Sequence, residues 1–221
     1  MSTKSRILIL LFFSTYISLF SQGLFEGKIK YAVSVETFQD DHPWNKYLEK
    51  KWGDTLVVSH SKDGFQKRDY INSFPQGFSW TIYNPINNNF YSKWHSLDTI
   101  YHYNCIDRFS TLEKFGEIKE VEINGEKYKM IELVTKNPTY GNEVRFKYYF
   151  DEKLKMNSEF YKNYRDGFFD LLYKKTNSHL IGWTQTEVEV YKVTFKAVEF
   201  IEERMDGEVF KIPKGFPLKK D

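Results

Sequence analysis

The sequence predicts a mostly antiparallel β domain of the α+β class, a sheet covered by two or three helices. Three observations point there. Short stretches that alternate apolar and polar residues recur along the chain, each bounded by turn-forming residues. Aromatic residues make up 19% of the chain, with 16 Tyr and 20 Phe, and such residues favour strands and large-side-chain cores. Cys105 is the single cysteine, so no internal disulfide forms and packing alone must hold the domain.

The chain opens with Lys4 and Arg6, then the apolar run Ile7 to Phe13 and a softer Ser14 to Phe20. This matches the charged start and short apolar core of a secretory signal, with cleavage expected after Ser21. Ser14, Thr15 and Ser18 interrupt the run before the roughly 20 apolar residues a membrane-spanning helix needs. The expected organisation is residues 1–21 as signal peptide and 22–221 as one β-rich domain. Gln22 and Gly23 follow the cut, which is not where a lipid-bearing cysteine would sit. The expected product is periplasmic or secreted, soluble, and without a transmembrane anchor after cleavage. Loss of residues 1–21 removes two basic and no acidic residues, leaving 30 of each. A neutral chain has no basic excess to release counterions from a nucleic acid, so a nucleic-acid partner is not expected.

The first strand is read from Phe25, Gly27, Ile29, Tyr31, Val33 and Val35, which alternate with Glu26, Lys28, Lys30 and Ser34. A helix is expected next. Acids precede Pro43, and Trp44, Tyr47, Leu48 and Trp52 follow at helical spacing until Gly53. From Thr55 the chain runs as short strands: Thr55 to His60, Phe65 to Ile71, Phe78 to Tyr83, Phe90 to His95 and Ile100 to Cys105. Around Asn124-Gly125 a two-residue hairpin turn sets Val121 opposite Tyr128, Glu122 opposite Lys127 and Glu120 opposite Lys129. Val144, Phe146, Tyr148 and Phe150 make the next strand. A second helix is expected after Asn157 or Ser158, with an apolar stripe of Tyr161, Tyr164, Phe168, Leu171 and Leu172 and a weak point at Gly167.

Leu180 to Val188 leads into the last long strand, Glu189 to Ile201. Tyr191, Val193, Phe195 and Ala197 share one of its faces, but the alternation breaks where Val190 abuts Tyr191 and where Ala197 abuts Val198. Both breaks are read as bulges, which bend a sheet, so this strand is expected to form a curved wall.

Local motifs for chemistry are missing. The sequence has no Gly-x-Ser-x-Gly elbow, no His-Glu-x-x-His and no glycine-rich phosphate loop. His95 and His102 are the one histidine pair that local geometry unites, if Leu97-Asp98 is a hairpin turn, and two ligands do not close a zinc site. The protein is therefore read as a non-enzyme with no catalytic residues, no cofactor and no metal, and a hydrolase ranks last.

The whole remaining chain resembles the outer-membrane lipoprotein carrier (LolA/LolB-like) class of exported proteins. The resemblance rests on Phe25-Glu26-Gly27-Lys28-Ile29-Lys30-Tyr31 directly after the signal, the meander of short strands, and the closing Val193-Thr194-Phe195 strand leading to Val209-Phe210-Lys211-Ile212-Pro213. It implies a curved antiparallel half-barrel closed by helices over an apolar cavity that receives lipid or lipoprotein acyl chains. On that reading Tyr31, Val33, Trp80, Tyr83, Trp94, Tyr191, Val193 and Phe195 line the cavity, and the partner is an apolar small molecule or lipid. The alternative is a cell-envelope interaction module with a filled core, whose exposed aromatics and sheet edges recruit an envelope protein.

Overall fold

A computed structural model describes residues 23–220 apart from 39–44, 74, 76, 108–109, 124 and 138–140. The expected signal peptide, the start of the first helix and the Asn124 turn position fall outside the described residues.

The alternating segments become β1 (Gly27–Thr37), β2 (Thr55–His60), β3 (Gln66–Ile71), β4 (Phe78–Asn84), β5 (Asn89–Trp94) and β6 (Ile100–Asn104). They continue as β7 (Thr111–Phe115), β8 (Lys119–Ile123), β9 (Glu126–Lys136), β10 (Glu143–Lys155), β11 (Ser178–Glu187), β12 (Tyr191–Glu202) and β13 (Leu218–Lys220). All belong to one sheet, ordered β13-β6-β5-β4-β3-β2-β1-β12-β11-β10-β9-β7, with β8 also on β9. Every pairing is antiparallel except β13 on β6. The chain thus meanders outward from β1 through β6, and β12 then returns to close on β1.

Two α-helices are present among the described residues, α1 (Asn45–Lys51) and α2 (Phe169–Thr176). Gly53 ends the α1 region at φ 71°, in the left-handed conformation that suits glycine after a helix. An added Cβ there would sit 2.0 Å from the Ile71 carbonyl oxygen. Gly53→Ala is accordingly expected to cost about 2 kcal/mol or more in urea unfolding, from backbone strain and the clash together.

The expected second helix forms in pieces. Asn157 Oδ1 accepts from the Glu159 N–H at 3.1 Å and caps a 3-10 turn, Ser158–Tyr161. Gly167 and Phe168 take positive φ (61° and 60°), so α2 starts only at Phe169. Four residues of the anticipated stripe, Tyr161, Tyr164, Phe168 and Leu172, are buried across this break, while Leu171 is half-buried.

The β8–β9 register is the expected one: Val121 faces Tyr128, Glu122 faces Lys127 and Glu120 faces Lys129. Glu120 takes both lysines, Lys127 at 3.0 Å and Lys129 at 3.9 Å. In β12, Ala197 pairs with Tyr31 while Glu199 pairs with Lys30, so Val198 is an inserted residue and this bulge is where it was expected. The other one differs. Val190 lies in the turn before β12 rather than in a bulge, because Glu189 turns the chain at φ 66°.

Buried side chains fall into two clusters. One joins Ile29, Tyr31, Leu56, Val58, Tyr70, Val193 and Phe195 from the middle of the sheet. The second unites Tyr83 and Phe90 of β4 and β5 with Ile131, Leu133, Tyr148 and Phe150 of β9 and β10, around Tyr161, Tyr164, Phe168 and Leu172. Strands far apart in the sheet order therefore pack on the same helical segment. Trp183 borders both clusters, stacked on Phe195 at 4.1 Å between ring centroids.

Candidate functional site

Strand alternation and register decide what the packed face of the sheet presents. In β3, Gln66, Arg68 and Tyr70 share a face. Across the ladder Arg68 is flanked by Val58 on β2 and Thr81 on β4, and Thr81 in turn by Ser92 on β5. A row that begins with buried Ile29 and Val58 thus turns polar at Arg68 and stays so through buried Thr81 and Ser92.

Arg68 is densely surrounded yet keeps some solvent-accessible surface. Its Nε donates to Gln66 Oε1 at 3.0 Å, it hydrogen-bonds Tyr70, and its guanidinium lies 5.2 Å over the Phe169 ring. Among the described residues no carboxylate makes an ion pair with it. Burial opposes the charge, but the Tyr164, Tyr70 and Tyr173 oxygens more than offset that and hold its pKa above the ordinary arginine value. Burial in turn raises the Tyr164 and Tyr173 hydroxyls above the usual tyrosine range. At neutral pH these phenols are protonated and offer the guanidinium dipoles, not a counter-charge.

The eight residues expected to line a cavity are dispersed. Tyr31, Tyr83, Tyr191, Val193 and Phe195 are each 6% exposed or less and sit inside the two clusters. Tyr31 donates to the Leu180 carbonyl at 2.7 Å. Val33 packs half-buried beside the central cluster. Trp94 is half-buried against Phe78 at 4.1 Å. Trp80 lies three residues from Tyr83 and pairs with Lys93, on the sheet face opposite Thr81 and Tyr83.

A groove of about 490 Å³ opens where β11 parts from β12. The pairing of these strands ends at Gly182 with Lys196. Ile123, Tyr128, Tyr149, Ile181, Ala197 and Phe200 supply its apolar walls, with Glu126, Asp151, Lys196 and Phe195 at the same groove. Its volume lies within the roughly 300–1,000 Å³ of small-molecule sites. Beyond Lys196, residues 197–202 of β12 pair only with β1 among the described residues, and Val198, Phe200 and Ile201 are exposed.

The histidine pairing is corrected by the structure. Lys93 pairs with Ile100 and Tyr91 with His102, so the loop spans residues 95–99 and is longer than a two-residue turn. His95 instead contacts Ser73 Oγ at 2.8 Å, while His102 lies against the Tyr91 ring. The pair that folding does unite is His60 and His179, each 2% exposed, with ring centroids 4.1 Å apart and Phe25 against both. Both His60 nitrogens and His179 Nδ1 have no hydrogen-bond partner. Burial, then the neighbouring His179 and Arg68, push the His60 pKa well down, and burial pushes His179 down to about 3. Both rings are neutral at pH 7.

Among the described residues no group of three or more His, Cys, Asp or Glu is placed to hold a metal. Cys105 is buried, and burial followed by the Asp166 charge pushes its thiol pKa up, which makes it a poor nucleophile. No described helix is long and apolar enough to cross a membrane.

No protein-family model matches the chain, and no curated protein is significantly similar to it in sequence.

The groove and the polar row escaped sequence reading for different reasons. The groove needs β8–β9, β10, β11 and β12 side by side, and no local pattern encodes that. Arg68 carried a signal, since a cation alternating with Gln66 and Tyr70 on a strand lies on whichever face they take.

Proposed function

We propose that the protein is an exported, non-catalytic binding protein of the lipoprotein-carrier kind, holding an apolar or acyl-chain ligand without covalent chemistry. The observation that carries this reading is the groove between β11 and β12, with its aromatic and aliphatic walls. Its affinity would come from burying ligand apolar surface, at about 25 cal/mol per Å² before ordering costs. We read the sheet as an open half-barrel, which is supported by the convergence of β4–β5 and β9–β10 on the segment 158–176.

Native mass spectrometry of the protein from its own host is expected to show a bound lipid-sized ligand, and fluorescent fatty acid should bind the stripped protein. Phe200 is 48% exposed, so Phe200→Asp should leave the fold intact and weaken uptake at least tenfold by placing a charge on the apolar wall. An apo mass with no uptake, or uptake indifferent to this substitution, would count against the groove.

A second reading is favoured by one specific feature. The free edge of β12 at residues 197–202, with Val198, Phe200 and Ile201 exposed, suits addition of a partner strand from an envelope protein. Crosslinking from Val198 to one extended peptide segment in the envelope would support it.

A further inference from the structure

The polar row inside the sheet poses a chemical problem that the groove does not address. A guanidinium has five N–H donors in a rigid fork, and those of Arg68 meet only Gln66 Oε1 and Tyr70 among the described residues. Thr81, its direct cross-strand neighbour on the same face, is 1% exposed and its Oγ1 has no hydrogen-bond partner. Tyr161, also 1% exposed, has an unpartnered hydroxyl too. Its ring belongs to the same aromatic wall, through Tyr173 at 4.7 Å and then Phe169 at 5.4 Å, on which Arg68 lies.

Orphaned hydroxyls are costly in a low-dielectric interior, where unpaired polar groups each cost of the order of 1–3 kcal/mol, and the Thr81 one lies directly across the ladder from Arg68. Folding does not place such groups together for stability, since an apolar residue at Arg68 or a valine at Thr81 would pack without that cost. The common need of these groups is an acceptor with several lone pairs and a negative charge. Two hydroxyls can turn their hydrogens toward it, and the guanidinium can meet it through paired N–H bonds. The residual accessibility of Arg68 gives that acceptor an approach.

We propose that Arg68 and Thr81, with the Tyr161 hydroxyl in the same wall, form an oxyanion-binding site that receives a carboxylate or phosphate group. This site is separate from the groove between β11 and β12, and neither depends on the other.

The test is titration calorimetry on the purified protein with decanoate, decyl phosphate, decanol, acetate and inorganic phosphate at matched ionic strength. Decanoate or decyl phosphate is expected to bind at least tenfold more tightly than decanol, and Arg68→Met should reduce either anion to the level of the alcohol. If acetate or inorganic phosphate also binds and is lost in Arg68→Met, the site stands and its ligand is a free oxyanion rather than a lipid headgroup. Thr81→Val keeps the shape of the residue, so it should fold even where Arg68→Met does not, and is expected to weaken anion binding about threefold to tenfold. Equal affinity for anions and decanol, anion binding unchanged in both variants, or no anion binding at all would overturn the proposal. Decanol binding that responds to Phe200→Asp but not to Arg68→Met reads the groove alone, so either site can fail without the other.

Discussion

Acidification from pH 6.5 toward pH 3 is expected to destabilise the protein steeply, with His60 and His179 as a principal cause. The unfolded chain takes up imidazole protons near pH 6.5, whereas burial holds the folded pKa of His179 at about 3 and that of His60 well below its ordinary value. The unfolded state therefore binds more protons throughout this window. The stability tied to the pair is fully present above pH 6.5 and is lost progressively as pH falls through the window. For His179 alone the loss is about 2 kcal/mol at pH 5 and roughly 4 kcal/mol near pH 3. His60 adds to it, although a proton on one ring resists a proton on the other 4.1 Å away. The double variant His60→Leu/His179→Leu removes three unpartnered nitrogens and should be as stable as the parent or more so at pH 7. Urea midpoints measured from pH 7.5 to 4.5 should fall for the parent and stay much flatter for the double variant. Parallel curves would show that the acid response belongs to other groups.

Truncation of Tyr83 is expected to have the next largest effect, about 3–5 kcal/mol for Tyr83→Ala. Its ring stacks on Tyr164 at 4.3 Å and on Tyr161 at 5.6 Å, and its hydroxyl donates to the Phe160 carbonyl at 2.9 Å. These contacts tie β4 to the segment on which β9 and β10 also pack, so one side chain links strands on the two sides of β1 through the same helical cover. Tyr83→Phe keeps the stack and loses one hydrogen bond, at a cost of about 1 kcal/mol. Denaturant unfolding of the two variants separates the contributions. A loss below about 1 kcal/mol for the alanine variant would mean that the cover is peripheral to the fold.

Much of the architecture was legible because its causes are local. Alternation in β1, β10 and β12 reflects the two-residue period of a strand, and the Glu120, Glu122, Lys127 and Lys129 pattern specified the β8–β9 register through complementary charge. The bulge at Val198 was visible as two adjacent apolar residues, because an inserted residue reverses the alternation. The break at Gly167 was visible only as a weak point. Nothing local showed that Phe168 would also turn left-handed and so delay α2 to Phe169.

The candidate sites were much less legible. Five of the eight residues expected to face a cavity are buried within the two clusters, and one of these, Phe195, also lines the groove. Alternation says which face a side chain takes and nothing about what lies opposite. The His95 and His102 expectation failed on loop length, since a five-residue connection moves the register by two residues. His60 and His179 are 119 positions apart and met only because the start of β11 packs across Phe25.

The sequence by itself determined most of the strands, the β8–β9 register and the apolar residues Tyr161, Tyr164, Phe168 and Leu172. Each is set by neighbours a few residues away. Tertiary structure alone decided that Arg68 lies beside orphaned Thr81 on the inner face, that β11 joins β12 only from Gly182 onward and so leaves a groove, and that two histidines share one buried site. All three depend on the order and curvature of strands remote in the chain, which is a global outcome of packing.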